Sequence, residues 1–92
     1  MLELSAVQKD ALKKRIRRNC CATARKMGMT AAFTSTGIRV AQGPVAYVFN
    51  LKWNHLSNMW DLYHGDTWLA GRGQSYPATI AYVVNHGVPH GN

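Results

Sequence analysis

Acidic residues are what this chain lacks most. Against eleven Lys and Arg it carries four Asp and Glu, a formal net charge of +7 over 92 residues. So few carboxylates cannot absorb the positive charge by internal pairing. The excess favours an anionic partner: nucleic acid, an anionic membrane surface or an acidic protein. The acids are also scattered, two near the start (Glu3, Asp10) and two in the expected strand region (Asp61, Asp66), so their spacing defines no acid–base pair. Cysteine is scarce as well. Cys20 and Cys21 are adjacent, and neighbours on a helix point about 100° apart, which excludes an ordinary bridge between them. Cys20 reads as a small core residue, with Cys21 at the edge of the same seam. No apolar run is long enough for a membrane span, and the basic start lacks the apolar segment of a signal peptide. The expectation is a soluble, cytoplasmic protein with no membrane partner. Phosphate-binding loops, dinucleotide motifs and nucleophile elbows are missing. Repeats, low-complexity tracts and linkers are missing too, so residues 1–92 form a single domain.

What is present is a core-forming composition and one unusual stretch. The chain is 47% hydrophobic, with three Trp, four Tyr and two Phe, enough for one core even though a chain this short buries only roughly 60–65% of its unfolded surface. The unusual stretch is residues 5–28. It holds Lys9, Lys13, Lys14, Arg15, Arg17, Arg18, Arg25 and Lys26, eight of the eleven cations, with Asp10 as its only acid. Ser5 and Gln8 have the spacing of a capping box. Gly28 suits the left-handed position after a helix, with Met29 placed to pack back over the last turn. Leu12, Ile16, Cys20, Thr23 and Met27 recur at three- and four-residue steps and predict one apolar seam. Lys14, Arg18 and Arg25 then project from the opposite face, flanked by Arg15, Arg17 and Lys26.

After Gly28 the period changes. Residues 30–40 are rich in Thr and β-branched side chains and read as a strand whose parity switches at Gly37, which suggests a bulge or bend. A turn follows at 41–44. Residues 45–53 alternate strictly, with Val45, Tyr47, Phe49, Leu51 and Trp53 on the core side and Ala46, Val48, Asn50 and Lys52 outside. Residues 54–58 form the next turn, and 59–63 and 67–70 flank His64-Gly65-Asp66 as a hairpin. Beyond a flexible 71–74 connection, Ser75 caps a short helix over 76–86, ended by Gly87. It is nearly apolar all round and so expected to be well buried, while its β-branched content leaves a final strand as the competing reading. Residues 89–92 are expected to be loose. The predicted fold is α+β: a long N-terminal helix on a three- or four-stranded antiparallel sheet, with a short C-terminal helix.

The functional candidates follow from this frame. Like charges crowd at i,i+4 in Lys13–Arg17 and Lys14–Arg18, which costs helix stability, and a cluster that weakens its own helix suggests a compensating use. We therefore read Lys13, Lys14, Arg15, Arg17, Arg18, Arg25 and Lys26 as partner-binding, since Lys and Arg on phosphates dominate nucleic-acid affinity. Arg72, between two glycines near a helix start, is a further candidate for phosphate. Trp53, Trp60, Tyr63 and Trp68 are either stacking platforms for unpaired bases or, as is commoner in a small domain, core. Among His55, His64, His86 and His90, only His86 and His90 have a ligand-like separation, and no Cys pair accompanies them. No metal or cofactor is expected. A His-dependent hydrolase is the least supported class, because no acid–base pair is identifiable.

The second half of the chain resembles the double-stranded RNA-binding domain. The likeness lies in Gly43-Pro44 leading to Phe49, and in Gly71-Arg72-Gly73-Gln74-Ser75 leading to an Ala-containing helix. That family has a His where this chain has Ala46, and lysines where it has Tyr76, Pro77 and Ala78, so the resemblance implies topology more than mode of binding. As a whole, the chain is similar to small phage-encoded anti-CRISPR proteins acting on type I effector complexes. That likeness rests on one compact domain without a catalytic motif, and on Lys13-Lys14-Arg15, Arg17-Arg18 and Arg25-Lys26 beside an aromatic-rich second half. It implies a non-enzymatic inhibitor that binds a guide-RNA–Cas complex and blocks recognition of target DNA. The alternative is a stand-alone RNA- or DNA-binding regulator.

Overall fold

A computed structural model describes residues 3–89. The expectation of a loose end at 89–92, past Pro89, and the His90 half of the His86–His90 pair lie outside the described residues.

The first helix, α1 (Ala6–Lys26), begins and ends as its caps dictate. The Ser5 hydroxyl accepts from the Gln8 amide (3.2 Å), and the Gln8 side chain accepts from the Ser5 amide (2.8 Å). At the other end Gly28 has φ +83°. The Gly28 and Met29 amides turn back onto the Arg25 and Ala24 carbonyls, which satisfies the last turn and buries Met29.

Five strands follow, each antiparallel to the next in the order of the chain: β1 (Thr30–Phe33), β2 (Gly37–Gln42), β3 (Val45–Asn54), β4 (Met59–His64) and β5 (Thr67–Ala70). The count exceeds the expected three or four because residues 30–40 are a hairpin and not one bent strand. The chain reverses at 34–36, where the Thr34 amide donates to the Gly37 carbonyl and the Gly37 amide donates to the Thr34 hydroxyl. The parity switch at Gly37 was the mark of this reversal. A Cβ at Gly37 would collide with the Phe49 carbonyl across the ladder, so only glycine lets β2 start there. Finally, α2 (Tyr76–His86) is capped by Ser75, whose hydroxyl accepts from the Ala78 amide, and it stops at Gly87.

Both helices lie on one face of the sheet. Ile16, Cys20, Cys21 and Ala24 of α1 share a single core with Ile38, Val40, Phe49, Leu51, Leu62 and Ala70 of the sheet and with Tyr76, Ile80 and Val83 of α2. The alternation read in β3 holds, with Phe49 and Leu51 buried and Val48 and Lys52 outside. Val45 is the exception, exposed at the strand's start. In α2 the side bearing Ala78 and Tyr82 faces solvent, so that helix is not apolar-covered all round. Among the described residues no element packs on the opposite face of the sheet.

Candidate nucleic-acid interface

The buried side of α1 is turned relative to the predicted seam. Ile16 and Cys20 are buried as expected. Ala24 and Cys21 join them, while Leu12, Thr23 and Met27 are only partly covered. The cause is β1, which packs along the flank formed by Arg17, Cys21 and Arg25 at four-residue steps. Arg17 Nη1 donates to the Thr34 carbonyl (2.9 Å), and its guanidinium lies 4.5 Å from the centre of the Phe33 ring. Arg25 Nη2 donates to the Ala31 carbonyl (2.8 Å). These two arginines cover an edge strand that would otherwise offer free carbonyls. They also enclose Cys21, which is as buried as Cys20, at 1% exposure.

The same rotation carries more cations under the helix. Lys9, Lys13 and Arg17 form one row at four-residue steps, and each meets an aromatic ring. Lys9 Nζ sits 4.8 Å from the Trp53 ring centre, and Lys13 Nζ 4.9 Å from that of Trp60. Trp60 returns the contact by donating from Nε1 to the Lys9 carbonyl (2.9 Å). Trp53 and Trp60, paired in register, meet edge-to-face at 5.4 Å. Stems and charges of this row are thus spent on docking α1 to the sheet.

The predicted partner-binding set therefore divides. Lys13 and Arg17 are half-buried against the sheet, and Arg25 holds the edge strand. Arg72 reaches across to the Ser57 carbonyl (3.1 Å) and ties two loops together. Lys14 is exposed but pairs with Asp10 (3.2 Å). Arg15, Arg18 and Lys26 are exposed. Among the described residues the ion pairs are Lys9–Glu3 and Lys14–Asp10, so Arg15, Arg18 and Lys26 have no carboxylate within reach. Arg15 and Arg18 border a shallow groove with Gln8, Ala11 and Leu12.

Burial raises the pKa of three groups of the core, Cys20, Cys21 and Tyr76. Burial, reinforced by the neighbouring Cys21, pushes the Cys20 thiol up to about 12. Cys21 is raised by burial against the lowering pull of Arg25 and Arg17. Tyr76 is pushed up to about 12 by burial, with Asp61 and Cys20 adding to it. Its hydroxyl donates to the Trp60 carbonyl (2.6 Å). A thiol kept protonated is a poor nucleophile. Among the described residues no three His, Cys, Asp or Glu side chains cluster as metal ligands would, and no helix is long and apolar enough to cross a membrane.

Sequence reasoning missed the row of Lys9, Lys13 and Arg17, although its four-residue spacing was visible. The signal was the count of aromatics in the strands, which need covering. No family model matches this chain, and comparison with curated proteins and with solved structures finds no match either.

Proposed function

We propose that this chain is a non-enzymatic binding protein that inhibits a nucleoprotein complex, in its most concrete form an anti-CRISPR protein gripping a guide-RNA–Cas assembly through the solvent side of α1. The carrying observation is that Arg15, Arg18 and Lys26 stand exposed on a doubly capped helix with no ion-pair partner among the described residues. An unpaired guanidinium on a fixed scaffold forms charge-assisted bonds to phosphate at little ordering cost. From Lys14 to Lys26 the helix axis runs about 18 Å, a length that faces on the order of five phosphates of one strand at a rise of 3.4 Å. Bound there, the protein would occupy guide RNA that target DNA must pair with.

The test replaces Arg15, Arg18 and Lys26 with Gln together. The variant is expected to melt like the wild type and to bind the ribonucleoprotein more weakly. Its salt slope should be shallower by about 2, given roughly 0.7 per lost contact to a single strand. Unchanged affinity and slope would remove the helix from the interface. Equal wild-type affinity for the assembled complex and for its naked RNA would replace the inhibitor with the stand-alone regulator.

A further inference from the structure

We propose that the open face of the sheet is a second ligand surface, taking an unpaired base of single-stranded nucleic acid onto Trp68, with Tyr63 beside it. This rests on the reading that the partner contains nucleic acid, but it uses the side of the molecule opposite α1.

The register places the residues. Tyr63 and Trp68 are direct cross-strand partners on β4 and β5, and Asn50 of β3 continues the same row. Side chains directly opposite on neighbouring strands lie about 5 Å apart at their Cβ atoms, so the two residues stand side by side as an aromatic step on the open face. Trp68 is 49% exposed, unusual for an indole in a chain with so small a core. Yet it is held in place. One edge of the ring lies against Gly71, where an added Cβ would come within 3.2 Å of Trp68 Cζ2 and 2.6 Å of the Asp61 carboxylate. A half-exposed ring packed along one edge loses little freedom when a flat ligand stacks on it.

The charges around the step point to a polyanion. Lys52 places Nζ 4.5 Å over the Tyr63 ring centre, and Arg39 of β2, beside Val48, is exposed on the same face. Neither forms an ion pair among the described residues. Asp61, in register with Lys52, is 7% exposed and accepts from Asn54 Nδ2 (3.0 Å), covered by the Gly71 loop. Asp66 lies in the turn beyond the strand ends. A protein partner would use the Trp equally well. Exposed cations beside an exposed indole match bases joined by phosphates better. Sheets that read single strands through paired aromatics on adjacent strands use the same physics.

The experiment titrates the full chain, at low salt, with a short oligouridylate and with an abasic oligonucleotide of equal length and charge. Wild type should prefer the base-bearing probe. Trp68→Ala should weaken that probe about 5- to 160-fold, the range of one base–aromatic stack, and leave the abasic probe unchanged. Trp68→Phe should recover most of the loss and Trp68→Leu little. The Arg15, Arg18 and Lys26→Gln variant should weaken both probes alike, so loss of the base preference and loss of the helix contribution are read separately. The proposal is overturned if Trp68→Ala leaves the base-bearing probe unchanged. It also falls if Trp68→Leu binds like wild type, the result of a plain apolar contact such as a protein would make, or if wild type ignores bases or binds neither probe.

Discussion

The two long sides of α1 are built from the same residue types and do opposite work. On the sheet side, Lys9, Lys13 and Arg17 lie over Trp53, Trp60 and Phe33 and join Ile16 and Cys20 in fastening the helix. On the solvent side, Arg15, Arg18 and Lys26 touch no acid among the described residues. A cation's availability is thus set by what its four-residue neighbours dock against, not by the local density of charge. Like-charge crowding has a structural reason for Arg17 and Lys13, whose charge is taken up by aromatic faces and a carbonyl. Arg18 has no such reason.

The largest test of the covered side is alkali. Folding keeps the Cys20 thiol protonated, its pKa rising from 9.0 to about 12. Tyr76 behaves alike, from 10.0 to about 12. In both, the folded state favours the neutral acid, so the contribution is whole below the unfolded pKa and lost as pH rises through the folded one. Urea unfolding should therefore show stability falling between about pH 9 and 12, by on the order of 4 kcal/mol from Cys20 alone. Cys20→Ala should make that slope shallower, with Cys21, also raised by burial, and Tyr76 keeping the rest. A stability flat to pH 12 would mean that the thiol meets water and α1 is not closed on the sheet.

Next comes packing. Ile16 is 5% exposed, and Ile16→Ala should cost about 2–4 kcal/mol by chemical denaturation. A change near zero would leave α1 without a docked side and dissolve the comparison. Arg17→Ala removes a charged hydrogen bond and a ring contact and should cost about 2 kcal/mol. Arg17→Met, which keeps the stem over Phe33, should recover part of it.

How much of this was legible in the sequence differs by kind of signal. The capping box at Ser5, the glycine after Met27, the alternation of 45–53 and the bounds of α2 are local codes, readable because backbone donors at those positions have few other solutions. The hairpin at 34–36 was hidden because Thr34, Ser35 and Thr36 are strand-like residues making a turn. The Thr34 hydroxyl supplies the bond that Asn or Asp would more recognisably give. Tertiary facts were less accessible still. Which cations on α1 are covered depends on where β1 packs, and no period in residues 5–28 encodes that. The same holds for Trp68, whose exposure follows from both helices choosing the other face.

The smallest expected effect separates the two sides most cleanly. Arg18 stands one turn from Lys14 and from Arg15, all three exposed and cationic. Arg18→Glu replaces two repulsions with two attractions, each worth about 0.2–0.5 kcal/mol on a helix surface. Lys14 already pairs with Asp10, so only part of that gain is new, and the net should be stabilisation of about 0.5 kcal/mol at low salt, fading as salt is added. At Arg17, one residue earlier, the same exchange would set a carboxylate against the Thr34 carbonyl and the Phe33 ring, and it should destabilise clearly. Thermal melts of the two variants should therefore move in opposite directions. If Arg18→Glu lowers the melting temperature as Arg17→Glu does, Arg18 has an intramolecular partner, and the solvent side of α1 is not free to meet phosphate.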